Sequence, residues 1–219
     1  MKKKKIVLSF DPKSIFFGMT LGLVLGYLIS PKETDVSFDA ALPQGHPPVD
    51  ENNNPNAPMM DEQTAQQMNE YREELDGWKS VWENDNSNWM AAIRVADMYY
   101  EVQFYDRSIP WYEKALSVND VPNTRNDMAF AQFMAGVSTP IGATADSESF
   151  ILASIDTLEK LIVDYPDYPN GWLTYGFVMT NTGEKEIAFS AFSKCSELDP
   201  DGAVGNEARS FLRQYFKDE

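Results

Sequence analysis

The chain has 219 residues and a net charge of −16, with 43% hydrophobic and 24% charged residues, enough for one helical domain of moderate size with extensions. Its single cysteine excludes an intramolecular disulfide, a CxxC pair and a cysteine-based zinc site. The charge is unevenly spread: up to residue 30 five lysines face one aspartate, a balance of +4, while 13 basic and 33 acidic residues beyond it leave −20. A body this acidic repels nucleic acid and anionic lipid, so neither is an expected ligand.

The first 30 residues read as a membrane address. A basic start, "MKKKK", precedes an uncharged run from Ser14 to Ser30. As a helix these 17 residues span roughly 25 Å, near the lower limit for crossing a bilayer. A cleaved secretory signal has a similar layout, but the run ends "YLISPKE" without a small-x-small cleavage site. A buried helix is the third reading, and an uncleaved single-pass anchor is the expectation. The lysines then stay cytoplasmic and the body lies across the membrane. Gly18, Gly22 and Gly26 recur every four residues, a doubled GxxxG face that lets two membrane helices approach closely. Glycine is also simply common in membrane helices. Residues 31–60, rich in Pro, Asn and Asp and without periodicity, read as a flexible linker. The only histidine, His46, sits there and has no second imidazole to share a metal with.

From residue 61 to 219 the pattern is helical and self-similar. "GWLTYGFVMTNTGEKEIAFSAFSKCSELDP" supplies Trp172, Tyr175, Gly176, Met179, Ala188, Phe192 and Pro200, with Gly183 at a turn. Small residues (Gly176, Ala188) let two helices approach, large ones (Trp172, Phe192) fill the gaps, and the proline ends the second helix. The same spacing runs through 89–120 with Ala96, Tyr99, Ser108, Tyr112 and Ala115, Tyr105 falling in the turn. Pro110 is accommodated by starting the second helix near Arg107. A third copy, 122–166, pairs helices at 124–136 and 149–166 and places Ser154, Leu158, Leu161 and Pro166 on the template. Between them the Gly/Pro/Ser/Thr-rich stretch 137–148 reads as an inserted, protruding loop. Leu75, Trp78, Val81 and Trp82 mark a leading helix, and 203–217, with Phe211, Leu212, Tyr215 and Phe216, reads as the capping helix of a stacked array.

These residues match the signature W-x2-L-G-x2-Y…A-x3-F…P, and the body resembles the tetratricopeptide repeat (TPR) family over roughly residues 70–216. The resemblance implies an all-α fold: an N-terminal transmembrane helix, a flexible linker, and a right-handed superhelix of three helix pairs, 89–120, 122–166 and 169–201, with flanking helices. The layout is also similar to TPR-bearing bacterial envelope proteins, among them subunits of cytochrome c maturation systems.

No catalytic constellation is present: no GxSxG, HExxH, P-loop or dinucleotide turn. Acidic pairs such as Glu73–Glu74 belong to a solvated acidic surface, and "DPDG" at 199–202 lacks the later ligands of a calcium loop. The chain reads as a non-enzyme without metal or cofactor. Cys195 occupies a small-residue slot and reads as a buried, slow-reacting thiol. A TPR array offers instead a concave face for a partner. Carrying the family's groove positions onto this sequence gives Met90, Ile93, Asp97, Tyr100 and Glu101 from the first repeat. The second gives Asn126, Phe130, Phe133 and Met134, and the third Leu173, Phe177, Thr180 and Asn181. Apolar helix positions of this kind also pack between helices. The lysine–asparagine set that clamps a C-terminal carboxylate in some TPRs is absent. An apolar, aromatic centre with an acidic end suits a protein or peptide segment with an apolar face and some basic character. The resemblance therefore implies a membrane-anchored scaffold in a bacterial inner membrane, its body in the periplasm, with cytochrome c maturation as one process. The alternative is a self-assembling envelope or secretion component, a homo-oligomer paired through the glycine face.

Overall fold

The computed structural model describes residues 62–138 and 144–216. Among them are eight helices and no strand: α1 (Glu62–Asn84), α2 (Trp89–Glu101), α3 (Tyr105–Val118), α4 (Pro122–Ser138), α5 (Thr144–Asp164), α6 (Pro169–Asn181), α7 (Lys185–Leu198) and α8 (Ala203–Tyr215). The expected anchor with Gly18, Gly22 and Gly26, the linker with His46, and the end of the expected cap lie outside the described residues. No helix among those described is long and apolar enough to cross a membrane.

Each helix packs on its neighbours in sequence, and α4 also meets α6, which in turn meets α8. The helices therefore alternate between an inner row (α2, α4, α6, α8) and an outer one (α1, α3, α5, α7). The template residues explain the pairing. Ala96, Ser108, Tyr112 and Ala115 in the first pair, Ala129, Ser154, Leu158 and Leu161 in the second, and Gly176, Ala188, Phe192 and Cys195 in the third are all buried. In the third pair the fit is sterically strict. A Cβ on Gly176 would lie 2.7 Å from Phe192 Cε1, so only glycine lets the ring reach the backbone of α6. Burial, with the nearby Asp199 and Glu207 carboxylates, pushes the Cys195 thiol up to about 12.

The stretch expected as a protruding loop is largely helical. α4 runs on to Ser138 and α5 starts at Thr144, leaving 139–143 outside the described residues. Small residues at its borders serve close packing: Ser147 Oγ donates to the carbonyl oxygen of Gly136, just ahead of the stretch, and a Cβ on Gly136 would lie 2.6 Å from Ile151 Cγ1. Pro110 likewise stands two residues deeper in its helix than expected, because α3 starts at Tyr105, which makes that residue the buried opening of the helix rather than part of the turn. Arg125 fastens the second pair at its open end. It bridges Asp120, ahead of α4, to Asp164, at the end of α5, while Tyr165 donates to the Asp120 carbonyl oxygen at 3.1 Å.

Two turns repeat one geometry. Between α2 and α3, Gln103 has φ 65° and Phe104 N–H donates to Tyr99 O. Between α6 and α7, Gly183 has φ 83° and Glu184 N–H donates to Met179 O. This left-handed position costs an L-residue about 1–2 kcal/mol, whereas glycine takes it freely. Gln103→Gly is therefore expected to stabilise the fold by about 0.5–1 kcal/mol in urea unfolding, after the entropy that glycine adds to the unfolded chain. A loss of stability would mean that Gln103 makes contacts worth more than its backbone strain.

Candidate functional site

The inner row forms a cleft of about 420 Å3, within the range of ligand-binding clefts. The last turn of α2 supplies Asp97, Tyr100 and Glu101, at i, i+3 and i+4 on one face. α4 supplies Asn126, Asp127 and Phe130, and α6 supplies Leu173, Thr174 and Phe177, each spaced i, i+1, i+4. Glu207 and Phe211 come from α8, and Tyr112 reaches up from α3.

The floor is a ladder of rings crossing four helices. Tyr100 and Phe130 lie 6.4 Å apart between centroids, Phe130 and Phe177 5.8 Å, and Phe177 and Phe211 6.1 Å. All are tilted or edge-to-face, as the ring quadrupole favours. Phe211 is held from beneath by Phe192, stacked at 4.9 Å and 6°. Helix α8 is fixed at its start, where Gly205 N–H donates to Asp199 Oδ2 at 2.9 Å.

The charged part of the wall is acidic. Four carboxylates line it, Asp97, Glu101, Asp127 and Glu207, with no lysine or arginine among the lining residues. Arg94 pairs with Glu101 at 3.5 Å and with Glu74 at 3.0 Å, so Glu101 is partly neutralised. Asp97 accepts a hydrogen bond from the Tyr112 hydroxyl at 2.8 Å, yet desolvation outweighs that bond and raises its carboxyl above the usual range. Asn126 Oδ1 is buried and, among the described residues, accepts no hydrogen bond, a costly arrangement for an amide oxygen. Asp127 exposes much of its surface at the rim, but the surrounding concave wall removes part of its hydration. Desolvation first, then the Asp97 charge, raises its carboxyl to about 6. Solvent at the open mouth keeps the energetic cost small. Desolvation raises Glu207 in the same direction.

The cleft brings together Asp97, Tyr100, Glu101, Asn126, Phe130, Leu173 and Phe177 from the groove positions carried over from the family. The other six stand elsewhere. Met90 is 65% exposed at the far end of α2, and Ile93 packs against the cluster around Trp82 and Ala91. Phe133 is buried in the core below the ladder, and Met134 packs against two core clusters. Thr180 donates its hydroxyl to Gly176 O, and Asn181, buried, donates to Phe177 O, so both are turned onto their own helix. The displacement has one geometric cause. The cleft crosses the inner helices obliquely, from the end of α2 to the second and third turns of α4 and α6, so a fixed register overshoots in later repeats. Asp127, Thr174, Tyr112, Glu207 and Phe211 escaped the sequence reading. The i, i+4 pair Glu207–Phe211 is the signal that could have found two of them, since the helix that caps the array also lines the cleft.

A crystal structure of the MamA protein aligns over 69% of this chain and 84% of its own, with 16% identity and a TM-score of 0.50. With three equivalent helix pairs already in view, that alignment decides the architecture. The fold is a tetratricopeptide-repeat array. Another MamA crystal structure aligns over 70% of this chain and 92% of its own at 17% identity and a TM-score of 0.49. YrrB, described as a TPR protein with an unusual peptide-binding site, aligns over 69% and 74% at 16% identity and 0.46. No family model matches the sequence, and no curated protein is similar to it. At such identities the array's likeness to these structures is one of fold alone.

A carboxyl raised on folding holds its proton more tightly in the folded than in the unfolded state. Its ionisation then costs stability as pH rises from about 4 through about 6. Asp127→Asn removes that term while preserving shape. The variant's thermal midpoint is expected to exceed that of the unsubstituted protein near pH 7, and the difference to vanish near pH 4. A difference independent of pH would contradict the raised carboxyl.

Proposed function

We propose that this protein is a membrane-tethered TPR scaffold that holds a segment of a partner protein in the cleft between α2, α4, α6 and α8. The observation that carries the reading is the aromatic ladder Tyr100–Phe130–Phe177–Phe211, half-buried and lining the cleft on the concave side of the array. Rings spaced along a groove bury an apolar helix face at i, i+3 and i+4 with little loss of their own freedom. The tether is residues 1–30, whose lysines and uncharged run fit a single crossing with the array outside the cytoplasm. Residues 31–60 give the array reach. In a bacterium this places the array on the periplasmic face of the inner membrane, where capture of a newly exported chain, as in cytochrome c maturation, is one use.

Fractionation and co-purification test the two parts separately. The full chain is expected in the membrane fraction, and the chain lacking residues 1–30 in the soluble one. A partner crosslinked to the full chain is expected to be lost on Phe130→Ser with Phe177→Ser, while circular dichroism shows the helices retained. Membrane association without residues 1–30 would remove the tether. Undiminished recovery with the double substitution would remove the cleft.

A further inference from the structure

The lining of the cleft is chemically one-sided. Its four charged groups are all carboxylates, set beside the uncharged Tyr100, Tyr112, Asn126 and Thr174, and no cation lines it. Arg94, whose charge acts on Asp97, is already engaged by Glu74 and Glu101. Asp97 accepts a hydrogen bond from the Tyr112 hydroxyl. The groove is therefore complementary in charge to a group that brings positive charge and N–H donors. Lysine and arginine side chains are such groups. Their aliphatic stems lie well on aromatic rings, and their cationic heads favour ring faces. The chain beyond residue 30 carries a charge of −20, which adds long-range attraction for the same sign.

Building on the cleft reading above, we propose that the occupant is a basic amphipathic segment of a partner protein. It lays its apolar face on Phe130, Phe177 and Phe211 and sets a lysine or arginine head between Asp97 and Asp127. The head neutralises two carboxylates that share one concave wall. Asp97 keeps its bond from Tyr112, because a carboxylate has lone pairs for both. A charge-assisted contact of this kind is stronger than a neutral one, and more so where water is partly excluded. The apolar face supplies burial, and the cation supplies the register.

The test uses the full chain in detergent and fluorescent helical peptides, one of leucine and lysine and its leucine–glutamate counterpart. Anisotropy is expected to show binding of the lysine peptide alone. Asp97→Asn with Asp127→Asn is expected to weaken it by about tenfold, the scale of one lost charge-assisted contact. The charge-matched control Glu83→Gln with Glu113→Gln, two exposed residues outside the cleft, is expected to change it by less than about twofold. Equal losses in the two variants would reduce the attraction to net charge and overturn the proposal. Binding of both peptides, abolished by Phe130→Ser, would overturn the cationic seat and leave the cleft reading standing. Binding of neither, or binding indifferent to Phe130→Ser, would remove both. Spermidine that displaces the lysine peptide at equal concentration would make the occupant a free polyamine, which also overturns a protein partner.

Discussion

The close approach of Gly176 to the ring of Phe192 is the contact from which the rest of the third repeat follows. A hydrogen in place of a methyl lets the ring lie against the backbone of α6, where a Cβ would come within 2.7 Å of it. That sets the spacing of α6 and α7. Phe192 in turn carries Phe211 in a parallel stack at 4.9 Å, which seats α8 on the end of the array, and Phe211 closes the ladder against Phe177. The cleft floor is thus the upper side of the core. A single small residue buried in the repeat controls the position of rings two helices away, because close-packed interiors pass displacement on rather than absorb it.

Electrostatics and packing oppose one another on the concave wall. Burial of apolar surface draws the inner helices together, and the same closeness strips water from Asp97 and Asp127. Elsewhere the array neutralises its acids locally, as Arg125 does between Asp120 and Asp164 and Arg94 does beside Glu74. At the cleft Glu101 shares Arg94 in this way, whereas Asp97 and Asp127 have no ion-pair partner among the described residues. Such uncompensated polar groups cost stability in the free protein and are typical of surfaces whose complement arrives from outside.

The repeat was legible in sequence because its template is steric. Gly176, Ala188 and Phe192, or Ala96, Ser108 and Tyr112, occupy fixed slots whose size is dictated by helix pairing, and every one of them is buried. The stretch 137–148 signals a loop by its Gly/Pro/Ser/Thr composition, whereas Ser147 stands where α5 touches α4 at Gly136. The cleft was half legible. Residues at the end of α2 and the middle of α6 could be carried over by register, but the oblique course of the groove depends on the angle between successive repeats. No local pattern encodes that angle. Phe133 shows the difficulty, since it shares spacing and chemistry with Phe130 yet lies under the floor, 2% exposed.

The account turns on which face of the array meets a partner. A benzophenone amino acid placed at Thr174, in the cleft, or at Val163, 76% exposed on α5 outside it, would report this in living cells under ultraviolet light. Adducts to one protein from position 174 and none from position 163 are the result expected. Adducts from 163 with none from 174 would place the partner on the outer row and contradict the account.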